Sequence, residues 1–261
     1  MQHREFTAAG SGGIDLYAQA WLPGVAPRAV IVVSHGLAEH GGRYEALAGE
    51  LVQRGYAVYA VDHRGHGRSS GPRANIERFA HLVADFCAFT ERCAGEHPAT
   101  PVFMLGHSMG GAVAFASALR LQHMLRGLVL SAPALATDQP VPRLQEMFVR
   151  LLSVVAPGTG ALALPPDAVS RDPSVVARYA ADPLVHHKAI PARTLVELLR
   201  AMQGFPASAP GLRLPTLVLH GTADKLVPLA ATQPVYQPHG TRDGVVQVYE
   251  GLYHEVVNEP D

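Results

Sequence analysis

The segment Gly106-His107-Ser108-Met109-Gly110-Gly111 contains Gly-x-Ser-x-Gly. The surroundings decide what this spacing means. The apolar run 102–105 reads as a strand leading directly into the motif, and the Ala-rich stretch Met109–Leu121 leaves it as a helix. A serine on such a sharp turn presents its hydroxyl at the carboxyl end of a sheet, beside a helix N-terminus that favours negative charge. It becomes a nucleophile only if a base takes its proton and a carboxylate orients that base. The bland alternative is a glycine-rich turn with no chemistry.

In this strand–turn–helix setting the partners follow the serine in the order acid, then histidine, each in a loop beyond a strand. Asp224 lies in Gly221-Thr222-Ala223-Asp224, just after the β-branched and leucine-rich run 216–219. His254 lies in Glu250-Gly251-Leu252-Tyr253-His254, just after Val245–Tyr249. Asp243 and His239 precede that last run, and His220 stands at a strand end, so all three compete poorly. A tetrahedral intermediate also needs backbone N–H donors. Met109 supplies one as the residue after the serine. Leu37 supplies the other, from His35-Gly36-Leu37 beyond the run Ala29–Ser34.

The elements that position these loops are short apolar runs alternating with amphipathic stretches. Ala29–Ser34, Tyr56–Val61, 102–105, 127–130, 216–219 and Val245–Tyr249 read as strands. Near-continuous apolar strands separated by helices imply a mostly parallel sheet covered by helices on both faces, an α/β fold. From 134 to 211 no convincing strand is found. Leu144, Met147, Phe148, Leu151, Leu152 and Val155 form a helical apolar stripe, Asp172-Pro173 is an N-cap with proline in the first turn, and Pro191 opens a helix ending near Gly204. The expected organisation is a core in two parts, 1–133 and 212–261, with a helical cap inserted over 134–211. The stripe packs the cap onto the core, lines an acyl tunnel, or meets lipid aggregates.

These segments, with Glu39-His40, Gly42-Arg43-Tyr44, Asp62-His63-Arg64-Gly65-His66-Gly67-Arg68-Ser69, the run 179–184 and Glu255, resemble the monoacylglycerol lipase and lysophospholipase branch of the α/β-hydrolases. The resemblance extends from about residue 12 onward. It implies a carboxylic-ester hydrolase with a cap, no cofactor, and Ser108, Asp224 and His254 as triad. It further implies cleavage of monoacylglycerols, with lysophospholipids or short and medium esters as alternatives. Glu39, Arg43, His107 and Tyr179 would hold the polar head group, unless Glu39 pairs locally with Arg43 and Tyr179 merely packs the cap. The apolar stripe, in its lipid-facing reading, would give the cap transient contact with a lipid surface. The family commonly has glycine where Ala38 stands. Its mammalian members have cysteines where Val185-His186-His187 and Lys225-Leu226-Val227 stand, so thiol-based regulation does not carry over. A further helix after the histidine loop is expected of the fold. Only seven residues follow His254, so the sequence reads one helix short: either it stops before the end of a longer chain, or the chain ends early and leaves an apolar strip of sheet uncovered.

Composition narrows the field. The chain has 261 residues with 48% apolar and 16% charged, which excludes disorder. A net charge of −1 leaves no basic footprint for nucleic acid. Cys87 and Cys93, six apart on one predicted helix, cannot form a disulfide. His63 with His66 and the His186-His187 pair lack a cysteine or acidic partner at zinc spacing, so no metal is expected. No signal peptide or membrane-spanning run is read, which points to a cytoplasmic location. Epoxide hydrolases and dehalogenases need a carboxylate at the elbow. A non-catalytic binding protein on this fold would be expected to have lost a triad member.

Overall fold

The apolar runs do form strands of one sheet. The computed structural model describes residues 1–137, 143–236 and 244–260, the first four of the second segment by backbone alone. Its strands are β1 (Gln2–Gly10), β2 (Ile14–Leu22), β3 (Ala29–Ser34), β4 (Tyr56–Val61), β5 (Val102–His107), β6 (Gly127–Ser131), β7 (Gly160–Leu162), β8 (Ile190–Pro191), β9 (Thr216–Gly221) and β10 (Val245–Tyr249). Eight of them make one sheet in the order β1-β2-β4-β3-β5-β6-β9-β10. The β1–β2 and β2–β4 ladders are antiparallel and the rest parallel. The helices are α1 (Glu45–Gln53), α2 (Phe79–Glu96), α3 (Met109–Leu121), α4 (Arg143–Val155), α5 (Pro173–Ala181), α6 (Ala192–Ser208) and α7 (Leu229–Tyr236).

Both faces of the sheet are covered, as continuous apolar strands require. Leu82, Phe86, Met104, Phe115 and Leu128 pack one face under α2 and α3, and Trp21, Val33, Val58 and Ala48 pack the other under α1. The register sets the site. Ser34 pairs with Gly106, His107 with Ser131, and Ser131 with Leu219. The carboxyl ends of β3, β5, β6 and β9 therefore stand in one row, and the loops after β3, β5 and β9 emerge side by side.

The polar opening residues give little hint of the N-terminal hairpin. β1 alternates, with Ala8 buried and Phe6 packed against the core, and Gly12 and Gly13 turn the chain at φ 76° each. A left-handed glycine pair between two alternating runs is a hairpin signal. The expectation of no strand in 134–211 is also corrected. β7 and β8 pair antiparallel there, Leu162 opposite Ile190. Strands of three and two residues carry no readable period.

Between β6 and β9 the chain forms α4, β7, α5, β8 and α6. Asp172 caps α5 by accepting from Ser174 N–H at 2.7 Å, with Pro173 first in the helix. α6 runs past Gly204 to Ser208 because Phe205 is anchored edge-on against Phe115 and Phe79, with ring centroids 5.3 and 6.0 Å away. The stripe on α4 does not pack onto the core. Met147, Phe148, Leu151 and Val155 are exposed, while α4 rests on α6 and turns Val149 toward the site. Leu152 is half-buried, and the Leu144 side chain lies outside the described residues. Cys87 and Cys93 are free thiols on α2. Among the described residues no helix is long and apolar enough to cross a membrane.

Candidate active site

Ser108 sits between β5 and α3 with φ 54° and ψ −122°, a conformation that a residue bearing a Cβ adopts only under constraint. The constraint is visible. Its N–H donates to Ser131 O at 3.0 Å, and its carbonyl accepts from Ala112 and Ala134 N–H at 3.2 and 3.0 Å. The first turn of α3 also lies against the end of β3, where a Cβ on Gly110 would overlap the Ser34 and His35 carbonyls. Local strain of about 1–3 kcal/mol at such a position is characteristic of functional sites.

The loops after β9 and β10 cross in backbone contact. A Cβ on Gly221 would overlap the Leu252 carbonyl, which instead accepts from Ala223 N–H at 3.1 Å. This brings Asp224 to His254, whose Nδ1–H donates to Asp224 Oδ2 at 2.7 Å. An imidazole donating from Nδ1 to a carboxylate carries its lone pair on Nε2 when neutral, the form a base requires. Asp224 Oδ1 accepts from Leu226 and Val227 N–H at 2.8 and 2.9 Å. Burial would raise its pKa, but His220 (Nε2 at 3.4 Å), His254 and the Val227 N–H together hold the carboxyl well below the usual range. His220, a poor candidate for the base because it ends a strand, thus supports the acid, and its Nε2–H donates to Val227 O at 2.8 Å. Asp243 and His239 lie outside the described residues.

Ser108, His254, Leu37 and Met109 all line one cavity of about 630 Å³. Apolar walls are built by Ala136, Leu164, Val169, Leu195, Leu199 and Met202, all from the segment between β6 and β9. Met109 opens α3 and is buried, and Leu37 follows β3. The arrangement can activate a hydroxyl beside a long apolar slot and offer backbone N–H groups to an oxyanion.

Residues 25–261 match the model of the serine aminopeptidase S33 family. The chain belongs to this family. Over 257 residues it is 42% identical to the monoacylglycerol lipase of Mycolicibacterium smegmatis, spanning 98% of this chain and 92% of that one. Human monoglyceride lipase is 33% identical over 248 residues, covering 95% and 82% of the two chains. The crystal structure of a Paleococcus ferrophilus monoacylglycerol lipase superposes with a TM-score of 0.83 at 30% identity, over 94% of this chain and 93% of that one. The protein is therefore a serine ester hydrolase of the α/β-hydrolase fold, in the monoacylglycerol lipase branch.

In this hydrolase Glu39, Arg43, His107 and Tyr179 all reach the cavity wall, but Glu39 and Arg43 bond to each other and His107 Nδ1 donates to Ser131 O at 3.1 Å. Glu39 Oε1 accepts from Gly36 N–H and from Tyr44 O–H at 2.5 and 2.9 Å, and its Oε2 accepts from Arg43 at 2.6 Å. The local Glu39–Arg43 pair is thus formed. Sequence reasoning does not place Glu255 in the site, yet it takes Arg43 in a bidentate pair at 2.6 and 2.8 Å. Burial pushes the Glu39 carboxyl up, and the Arg43 guanidinium beside it, with the Gly36 N–H, more than reverses this and holds it below the usual range. The Arg43 guanidinium lies 4.8 Å from the Tyr179 ring centroid, a cation–π contact joining α5 to the core. The His107 ring lies tilted by 53° against that of His254, centroids 4.6 Å apart, and burial with that neighbour pushes it down to about 4.

Proposed function

We propose that the hydrolase cleaves monoacylglycerols to a fatty acid and glycerol through an acyl-enzyme. The observation that carries this reading is the 2.7 Å Asp224–His254 pair, whose histidine lines one cavity with Ser108 on its strained turn. Ser108 Oγ attacks the ester carbonyl as His254 Nε2 takes its proton. Asp224 holds the imidazole in the Nδ1–H tautomer and stabilises the imidazolium. The N–H groups of Leu37 and Met109 receive the oxyanion. His254 then protonates the leaving alcohol, and water, activated by the same histidine, releases the acid. The segment 134–211 acts as the cap that walls the acyl slot, and the polar cluster around Arg43 and His107 marks the alcohol end. The monoacylglycerol and monoglyceride lipases among the relatives support glycerol as that alcohol.

A fluorophosphonate probe is expected to label Ser108 stoichiometrically, with the adduct located by peptide mass. Turnover is expected to rank long-chain monoacylglycerols above lysophosphatidylcholine and short p-nitrophenyl esters. Failure to label Ser108 refutes the mechanism. Labelling with preference for lysophosphatidylcholine refutes only the head group.

The exposed side chains of α4 extend the reading to lipid surfaces. Met147 and Phe148 are 63% and 58% exposed and absent from the cavity wall, so they suit contact with an aggregate rather than a tunnel. Replacing both with serine is expected to lower activity on dispersed long-chain monoacylglycerol several-fold and leave p-nitrophenyl acetate hydrolysis unchanged. Equal loss on both substrates would count against it.

A further inference from the structure

His35 is wholly buried behind the loop that carries Leu37, outside the cavity wall. Its two ring nitrogens are both engaged, and with partners that fix its chemistry. Nδ1 lies 2.8 Å from Gly36 O, which can only accept. Nε2 lies 2.8 Å from His63 N–H, which can only donate. The ring is therefore neutral, protonated on Nδ1, and it ties the loop after β3 to the loop after β4. His63 is anchored in turn, its Nε2 2.9 Å from Ser34 Oγ. Burial and the neighbouring His63 hold the His35 pKa well below the ordinary histidine value, so the ring stays neutral across the working range.

The carbonyl that His35 holds belongs to the Gly36–Leu37 peptide. In a planar trans peptide the C=O and the N–H point in opposite directions. Pulling the Gly36 carbonyl back toward His35 therefore turns the Leu37 N–H outward, toward the cavity. Gly36 itself lies against the nucleophile, since a Cβ there would stand 3.3 Å from Ser108 Cβ and 3.2 Å from His107 Cδ2. The peptide unit on the other side of Gly36 is held by a separate bond, its N–H to Glu39 Oε1. The aim of the Gly36–Leu37 peptide thus depends on the His35 ring.

We infer that His35 is a positioning residue for the oxyanion hole: by donating from Nδ1 to the Gly36 carbonyl, it aims the Leu37 N–H at the substrate oxygen. This rests on the reading of Leu37 as an oxyanion donor. Two variants separate this role from simple packing. In His35→Asn the amide nitrogen falls near the Nδ1 position and preserves a donor to Gly36 O, while the acceptor for His63 N–H is lost. In His35→Gln the amide oxygen reaches toward the Nε2 position and preserves that acceptor, while the donor to Gly36 O is lost.

His35→Gln is expected to lower kcat by roughly 10–100-fold with KM changed less than about threefold, because a misaimed donor fails only where charge develops. His35→Asn is expected to keep kcat within about fivefold of wild type despite an equal or larger drop in Tm. Equal kcat for the two variants, or kcat falling in step with Tm, overturns the inference. Should neither variant fold, nitrogen-15 NMR of the wild-type imidazole decides it. A protonated Nδ1 and bare Nε2 from pH 5 to 8 are expected, and a protonated Nε2 overturns it. Wild-type labelling of Ser108 keeps the two readings apart. If the labelled, active enzyme shows no split between the variants, only the role of His35 falls.

Discussion

Replacing Ser108 with alanine is expected to lower kcat for every ester by roughly 10⁵–10⁶-fold, the loss typical when the nucleophile of a serine–histidine unit is removed. Alanine keeps the Cβ, so the strained backbone at φ 54° and the bonds to Ser131, Ala112 and Ala134 should persist and Tm should not move. The comparison with Ser108→Gly sharpens this. Glycine adopts positive φ without steric cost, so this variant should be equally inactive yet more stable by about 1 kcal/mol, some 2–4 °C in Tm for a chain of this size. Hydrolysis of a p-nitrophenyl ester beside thermal unfolding measures both. Activity near wild type in the alanine variant would show that the elbow serine is not the nucleophile.

Ser108, Asp224 and His254 are legible in the sequence because each follows a strand whose residues announce it. Val102–His107, Thr216–Gly221 and Val245–Tyr249 are β-branched or apolar runs, and a parallel sheet delivers the loops beyond such strands to one edge. What stays hidden depends on adjacency that no local pattern encodes. Arg43 and Glu255 are 212 residues apart and meet only because the loops after β3 and β10 converge. The engagement of Glu39 with Gly36 N–H, and of His35 with the next carbonyl, follows from a three-residue loop geometry that many sequences with histidine and glycine would not adopt. The exposed face of α4 is hidden for a related reason. A helical apolar stripe says that one face is apolar, not what covers it, and here Met147, Phe148, Leu151 and Val155 face outward. The β1–β2 hairpin differs, since its signal, Gly12-Gly13 between alternating runs, is present but outweighed by the polarity of the first strand.

Replacing Asp224 with asparagine is expected to lower kcat by about 10⁴-fold while leaving the fold intact. The hydrogen bonds dictate how the amide must sit. Oδ1 accepts from two backbone N–H groups, Leu226 and Val227, so the amide oxygen takes that place. The NH₂ group then occupies the position of Oδ2 and faces His254 Nδ1, 2.7 Å away in the native pair. A donor now meets a donor. The imidazole relieves the clash by moving its proton to Nε2, the nitrogen that must be bare to accept the proton of Ser108. The chemistry fails through the wrong tautomer rather than through lost packing. The stability effect has a definite pH signature. Because the folded pKa of Asp224 is depressed, its ionised form stabilises the fold fully above the unfolded value of about 3.9, and this is lost only as pH falls through the folded value. The Tm gap between wild type and Asp224→Asn should therefore narrow below about pH 4. For the same reason, wild-type activity lost between pH 7 and 5 cannot come from protonating Asp224. A kcat within tenfold of wild type would remove Asp224 from the catalytic unit and leave it a structural cap on the loop after β9.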